Sequence, residues 1–311
     1  MVFVTEDFAR ATVELHGEAG SLWLRSLPAV VERCAARWSL KVFPPFTPLS
    51  YNYAAPAEGP GGARFVLKVG VPVRELLTEI EALRAFDGRG AARLVEADAS
   101  AGALLLERLE PGTPLTALCE RDDAAATSTA ASVMRKLWRT PPDGHTFPTV
   151  ADWGKGFKRL RERFGGGTGP FPRALVEEAE TLFRELLESS AEPALLHGDL
   201  HHGNILAAAR EPWLAIDPKG LVAEPAYEVG ALLRNPQPQL LRHPDPVRLT
   251  ERRIAQLSDE LDLEPARVRG WGLAQAVLSE WWTIEDGGAL GEHGLRQPPP
   301  AHAHALEAKL L

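Results

Sequence analysis

The stretch Leu195-Leu196-His197-Gly198-Asp199-Leu200-His201-His202-Gly203-Asn204-Ile205-Leu206, followed by Trp213-Leu214-Ala215-Ile216-Asp217-Pro218-Lys219-Gly220, constrains this chain more than any other. Apolar runs precede Asp199, surround Ile205 and precede Asp217, and each has the length of a short buried strand. Three oxygen-bearing side chains therefore stand where the chain leaves a sheet, a position at which ions and phosphates are commonly held. Any one of them alone reads as a turn or cap residue. The ordered set of three, each at a strand end, points to a site.

The same residues carry a resemblance. Asp199 and Asn204 are five apart, the separation in the catalytic loop of protein kinases, where the Asp is the base and the Asn a metal ligand; Asp217 takes the place of the magnesium-binding Asp that follows. His197-Gly198-Asp199, with Gly where protein kinases have Arg, and Ile216-Asp217-Pro218-Lys219-Gly220 resemble the aminoglycoside phosphotransferases. More narrowly, Gly198 to Pro236, with Glu224-Pro225-Ala226-Tyr227 and Leu232-Leu233-Arg234-Asn235-Pro236, is similar to the streptomycin 6-phosphotransferase and hydroxyurea phosphotransferase branch.

The resemblance runs from Lys68 to about Gly287. It implies an α+β fold of two lobes, protein-kinase-like, with a small antiparallel-sheet N-lobe and a larger helical C-lobe. It also implies an ATP- and Mg²⁺-dependent enzyme that moves the γ-phosphoryl group to a hydroxyl of a small molecule, either an aminoglycoside-like antibiotic of the streptomycin type or hydroxyurea. Asp199 would be the catalytic base, and Asn204 and Asp217 would hold Mg²⁺. The donor types suit that ion, because hard cations take oxygen ligands and keep several waters beside phosphate oxygens.

Composition narrows the partners. Within 311 residues, 45% apolar and 24% charged content describe an ordinary globular protein with a sizeable core. A net charge of −8 argues against nucleic acid or anionic lipid as partner and suits cationic substrates. Cys34 and Cys119 lack metal-like spacing and read as reduced, buried thiols. The start Met1-Val2-Phe3-Val4-Thr5-Glu6-Asp7 has no basic region before an apolar core, and no run approaches membrane-spanning length. A cytoplasmic monomer or weak dimer is expected.

Taken in order, residues 21 to 40 predict an amphipathic helix interrupted by Pro28, and Lys41 to Pro48 an extended segment. Leu49 to Ala54 begins a strand or a turn; in a kinase-like fold Ser50 and Asn52 would help bind phosphates there through a turn, without a Gly-x-Gly-x-x-Gly pattern. Gly59-Pro60-Gly61-Gly62 turns a hairpin into the strand Arg64 to Val69. Lys68, inside that strand, is implied by the resemblance to bind the α/β-phosphates, held by a Glu of the next helix, Val73 to Phe86, whose stripe is Leu76, Leu77, Ile80, Leu83 and Phe86. On a helical wheel Glu79 falls roughly 70° from the centre of that stripe and Glu81 roughly 130°, so Glu79 is the candidate and Glu81 a solvated charge.

Strands are expected at Arg93 to Ala97 and Ala103 to Leu109. The break at Glu110-Pro111-Gly112 divides the chain into 1–109, a nucleotide-binding lobe, and 110–311, a catalytic and acceptor-binding helical lobe. The resemblance places the adenine edge on backbone groups of Glu107, Arg108 and Leu109.

Helices follow at Asp122 to Trp138, Val150 to Phe164 and Pro172 to Leu187, the last two joined by the Gly-rich run 165–170. That run has neither a preceding strand nor a Gly-Lys-Ser/Thr, so it reads as a connection. Further helices are expected from Glu224 to Leu233, Asp245 to Leu261 and Glu264 to Asp286. Glu228 is expected to brace the loop. Glu280, Glu285 and Asp286 either face the cationic groups of an acceptor or are plain solvated charges. His201 and His202 stand beside Asp199, but Asn204 and Asp217 suit magnesium and disfavour zinc. The proline-led tail from Pro298, with His302 and His304, reads as loosely packed.

Two other readings compete with the antibiotic kinase: a metabolic kinase for an amino sugar or polyol, and a catalytically silent nucleotide-binding pseudokinase. Against the second, the base, both metal ligands and the phosphate Lys are all present. A protein kinase is disfavoured because only about seven residues separate Asp217 from Glu224, too few to present an extended peptide.

Overall fold

The computed structural model describes residues 4–286. The opening Met1-Val2-Phe3 and the tail expected to be loosely packed from Pro298 lie outside them. The residues form two compact units, one reaching Gly112 and including Ala208–Leu214, the other Thr113–Ala207 with the chain from Ala215 onward. A linear division at residue 109 omits the returning segment Ala208–Leu214. Its Arg210 guanidinium donates to Glu107 Oε2 at 2.9 Å, Gly88 O at 2.7 Å and Ala91 O at 3.0 Å, which ties the segment to the first unit.

The first unit contains α1 (Glu6–Arg37), β1 (Lys41–Val42), β2 (Tyr53–Glu58), β3 (Arg64–Val69), α2 (Arg74–Phe86), β4 (Leu94–Asp98) and β5 (Ala103–Glu107). Its sheet has the order β1-β2-β3-β5-β4 and is antiparallel throughout. Strand alternation sends Leu67 and Val69 to one face, where they pack with Leu27, Val30, Val31 and Cys34 of α1. Val66 belongs to the opposite face, against Leu76, Ile80 and Leu83 of α2. Lys68 alternates to that same side.

Two helices differ from expectation. α1 starts at Glu6, far ahead of Ser21, because Thr5 Oγ1 accepts from Phe8 N at 3.2 Å and Glu6 and Asp7 sit in the first turn. Its apolar periodicity is hidden from the sequence by Gly17, which breaks the helix with a φ of +57°. In α2, Leu77 lies off the buried stripe and is 39% exposed.

The second unit begins within β6 (Pro111–Pro114) and continues through α3 (Thr116–Cys119), α4 (Asp123–Leu137), α5 (Val150–Arg163), α6 (Arg173–Glu188), β7 (Ala194–Leu196) and β8 (Ile205–Ala208); after β9 (Trp213–Ala215), most of which belongs to the returning segment of the first unit, it resumes with β10 (Leu221–Ala223), α7 (Pro225–Leu233), α8 (Gln239–Arg242), α9 (Pro246–Leu261) and α10 (Pro265–Glu285). α10 packs on α6 and α7. Its Trp271 is fully buried, meeting Phe183 and Tyr227 edge-on at centroid distances of 5.2 and 5.1 Å. Among the described residues no helix is long and apolar enough to cross a membrane.

Candidate active site

The central loop of the second unit hangs from the short antiparallel pair β7 and β10, in which Leu196 faces Leu221. His197 follows at once and organises what comes after. Its carbonyl accepts from Lys219 N at 2.8 Å and Gly220 N at 3.1 Å. Its ring Nε2 meets Ile216 O at 2.8 Å, while Nδ1 accepts from Asp199 N at 3.2 Å. These partners require the tautomer with the proton on Nε2. One imidazole thus joins the residue before Asp217 to the backbone of Asp199.

Glu228 of α7 braces the loop from beneath. It is fully buried, and its carboxylate accepts from His197 N at 2.7 Å and Gly198 N at 2.9 Å. Asn204 closes the other side, its Nδ2 donating to Asp199 O at 3.0 Å while its own carbonyl accepts from Ile216 N at 2.9 Å. That orientation of the amide commits its nitrogen and leaves Oδ1 as an oxygen donor. Asp217 has a φ of +58°, a left-handed conformation that Asp tolerates and that is met at functional turns. Asn204 and Asp217 are linked through the Ile216 N to Asn204 O hydrogen bond, and their side chains offer an amide oxygen and a carboxylate, donor types that fit Mg²⁺.

Gly198 shows why this loop carries glycine. Its φ is +88°, and a Cβ there would lie 3.2 Å from Trp153 Cη2, 3.2 Å from Leu221 Cβ and 3.3 Å from Lys219 Cβ. Gly198→Ala is expected to destabilise the fold by about 1–2 kcal/mol, measured by urea unfolding. Turnover should fall with it, since Asp199 is the next residue.

In the first unit, Lys68 Nζ and Glu79 Oε1 form an ion pair of 2.6 Å with both side chains buried. Glu79, the glutamate nearer the apolar stripe on the helical wheel, is the buried partner of Lys68, and Glu81 is only half-buried. Ser50 is exposed and Asn52 half-buried in the bend before β2. The Asn52 amide packs on Gly70 where a Cβ would otherwise stand. Of the three residues expected to meet adenine, Glu107 has its N–H committed to Arg93 O at 2.9 Å and its carboxylate to Arg210. Arg108 and Leu109 lie past the end of β5.

The three acidic residues near the end of α10 do not present one exposed face. Glu280 is buried, Asp286 is exposed, and both oxygens of Glu285 accept from Arg159, at 2.5 and 2.9 Å. A further cluster, Cys119, Asp123 and His202, brings ligand-type atoms within 4.8 Å of one another. Arg252 and Arg253 occupy its carboxylate. Burial, followed by the neighbouring Asp123, pushes the Cys119 thiol up to about 12. Two guanidinium charges and a neutral thiol make this a buried ion pair and not a metal centre.

Buried groups around the loop make stability depend on pH. Burial holds the His197 imidazole down to about 4 and that of His202 to about 3, from an ordinary 6.5. The unfolded chain therefore takes up protons below 6.5 that the fold excludes, so their contribution is full above 6.5 and is lost on acidification. Burial pushes Glu228 the other way, from 4.5 to about 7, against the pull of the backbone N–H groups of Gly198, His197 and Leu200. Its contribution is full below 4.5 and is lost as pH rises through 7. Burial lowers the His201 imidazole as well, so three imidazoles oppose one carboxyl and Tm should fall between pH 6.5 and 4.5 in calorimetry. His202→Leu should flatten that fall and Glu228→Gln should steepen it.

A five-stranded antiparallel sheet carrying a buried Lys–Glu pair, and a helical unit carrying the Asp199, Asn204 and Asp217 loops, define a kinase-like phosphotransferase fold. A solved structure of a thermostable mutant of the aminoglycoside phosphotransferase APH(4)-Ia shares this fold, with a TM-score of 0.58 at 16% identity over 82% of this chain and 91% of that one. The profile of the aminoglycoside/hydroxyurea antibiotic resistance kinases matches residues 54–287, and the chain belongs to that family. It is 32% identical to the streptomycin 6-kinase of Streptomyces glaucescens over 93% of both chains. It is 34% identical to the hydroxyurea phosphotransferase of Kitasatospora aureofaciens, over 92% of this chain and 82% of that one.

Arg234 belongs to the site although no sequence pattern marks it as a site residue. Just past α7, it donates from Nη2 to Asp199 Oδ1 at 3.2 Å. A basic residue at a helix C-terminus, immediately before Asn-Pro, is the nearest signal.

Proposed function

We propose that this protein is an ATP-dependent kinase that phosphorylates a hydroxyl of streptomycin or a closely similar cationic aminoglycoside. The observation that carries the reading is the loop in which His197 and Glu228 fix Asp199, Asn204 and Asp217 relative to one another. In it Asp199 orients the acceptor hydroxyl and takes its proton, and Asn204 Oδ1 with the Asp217 carboxylate holds Mg²⁺. That ion, when bound, offsets charge on the phosphate oxygens. Lys68, steadied by Glu79, draws the α/β-phosphates, and the first unit with Arg108 and Leu109 receives the nucleotide. Because the transition state of phosphoryl transfer is loose, alignment and charge offset supply most of the rate. The chain's acidity and its streptomycin-kinase relatives support a cationic acceptor. Glu280, Glu285 and Asp286 are the carboxylates proposed to meet its cationic groups, Glu285 being engaged by Arg159 as well. A cytoplasmic monomer or weak dimer suits such a role.

The likeness to a hydroxyurea phosphotransferase supports hydroxyurea as a second acceptor. ADP release with streptomycin, hydroxyurea and neutral polyols, each with and without Mg²⁺, separates the readings. Expression in a streptomycin-sensitive host should raise its tolerance to the drug. ADP release confined to polyols would assign a metabolic kinase, and nucleotide binding with no productive acceptor would assign a silent module.

A further inference from the structure

Asp199 is not held by its own loop alone. Its Oδ1 accepts from Arg234 Nη2 at 3.2 Å, and its Oδ2 lies 3.9 Å from His201 Nε2. The other terminal nitrogen of the same guanidinium, Nη1, donates to Oε1 of Gln275. Gln275 belongs to α10 and is 1% exposed. It reaches Arg234 only because α7 has glycine at 230, where a Cβ would lie 2.8 Å from Gln275 Cδ.

The backbone around Arg234 is pinned as well. Gln237 Nε2 donates to Arg234 O at 2.8 Å, and the buried guanidinium of Arg253 donates to Asn235 O at 2.6 Å. A surface ion pair needs none of this support and contributes little. A buried glutamine, a glycine that admits it and a second arginine together fix the direction of one guanidinium nitrogen.

We infer that Arg234 is a positioning residue for Asp199: by holding Oδ1 it leaves Oδ2 as the oxygen that takes the acceptor proton. The inference rests on the reading of Asp199 as the base. In the step it serves, the acceptor oxygen forms a bond to the γ-phosphorus while the bond from that phosphorus to the β,γ-bridging oxygen breaks. ADP leaves with the electron pair, and the hydroxyl proton passes to Asp199 Oδ2. A carboxylate free to rotate would spend much of its time with neither oxygen aligned, and misplacement of about 1 Å can cost about 10²-fold in rate.

The test uses the full chain with streptomycin as acceptor, repeated on the slow transfer of phosphoryl to water, which needs no acceptor. Arg234→Ala should lower kcat by about 10²-fold and leave KM for ATP unchanged. Millimolar guanidinium ion should restore part of the loss, and potassium at the same concentration none of it. Arg234→Lys should be intermediate, having charge without the planar fork. Gly230→Ala, which displaces Gln275, should lower kcat in the same direction without touching Asp199.

Wild-type kcat in Arg234→Ala beside an inactive Asp199→Asn would overturn the positioning role and spare the base. Wild-type turnover in Asp199→Asn would remove the base on which the role rests. A loss in Arg234→Ala that guanidinium does not relieve, accompanied by a lowered Tm, would make Arg234 a structural residue only.

Discussion

Asp199→Ala is expected to lower kcat by about 10²–10⁴-fold while Mg²⁺-dependent nucleotide binding survives, and Asp217→Ala to abolish that binding. The two residues sit within one hydrogen-bonded backbone frame, and the proposed reading gives their carboxylates different work. Asp199 is tied through its backbone, to His197 Nδ1 and Asn204 Nδ2, and its carboxylate projects toward Arg234 and His201. Asp217 follows Ile216, whose amide is bonded to the backbone carbonyl of Asn204, so the two residues proposed to hold the cation are joined through one backbone hydrogen bond. In the proposed reading, removing the first takes away proton transfer and acceptor alignment, and removing the second takes away one of the two oxygen ligands assigned to the cation. Calorimetric titration with a non-hydrolysable ATP analogue and Mg²⁺, run beside an ADP-release assay, separates the two lesions. Equal nucleotide affinity in both variants, or wild-type turnover in either, would break the assignment.

Asn204 reports on the same division. Its amide nitrogen anchors Asp199 O while its oxygen is the proposed ligand, so Asn204→Asp would keep the oxygen and lose the anchor. Mg²⁺-dependent binding should then survive better than turnover does.

The parts of this site that the sequence displays are the parts made by neighbours in the chain. Asp199, Asn204 and Asp217 are close in sequence and end short strands, so period and spacing reveal them. Glu79 is legible because helical geometry turns a list of glutamates into angles about one axis. Arg234 and Gln275 are 41 residues apart, and which nitrogen meets which oxygen depends on how α7 and α10 pack. No local pattern carries that. The same limit hid Arg210, 103 residues from Glu107, and the bidentate partner that takes Glu285. Leu77 failed for a different reason: five apolar residues in one helix overfill the buried stripe, and only packing chooses the one left outside.

Asp123→Ala should destabilise the protein by about 3–5 kcal/mol, because it strands the buried charge of Arg253. Arg253 is 1% exposed, and Asp123 is the carboxylate its guanidinium engages, through Nε at 3.1 Å and through Nη2. Burial alone would raise the Asp123 carboxyl, but Arg253, Cys119 and Arg252 outweigh it and hold it below its ordinary range. The pair is therefore ionised and mutually compensating. Replacing both partners by apolar groups, Asp123→Ala with Arg253→Met, removes the stranded charge and should recover much of the lost stability in urea unfolding. The double variant should nonetheless remain slow, since Arg253 also holds Asn235 O, next to the backbone of Arg234. Recovered stability with recovered turnover would show that α7 needs no such anchor. Recovered stability without turnover would place the function of Arg253 in the geometry of Arg234 and not in its own ion pair.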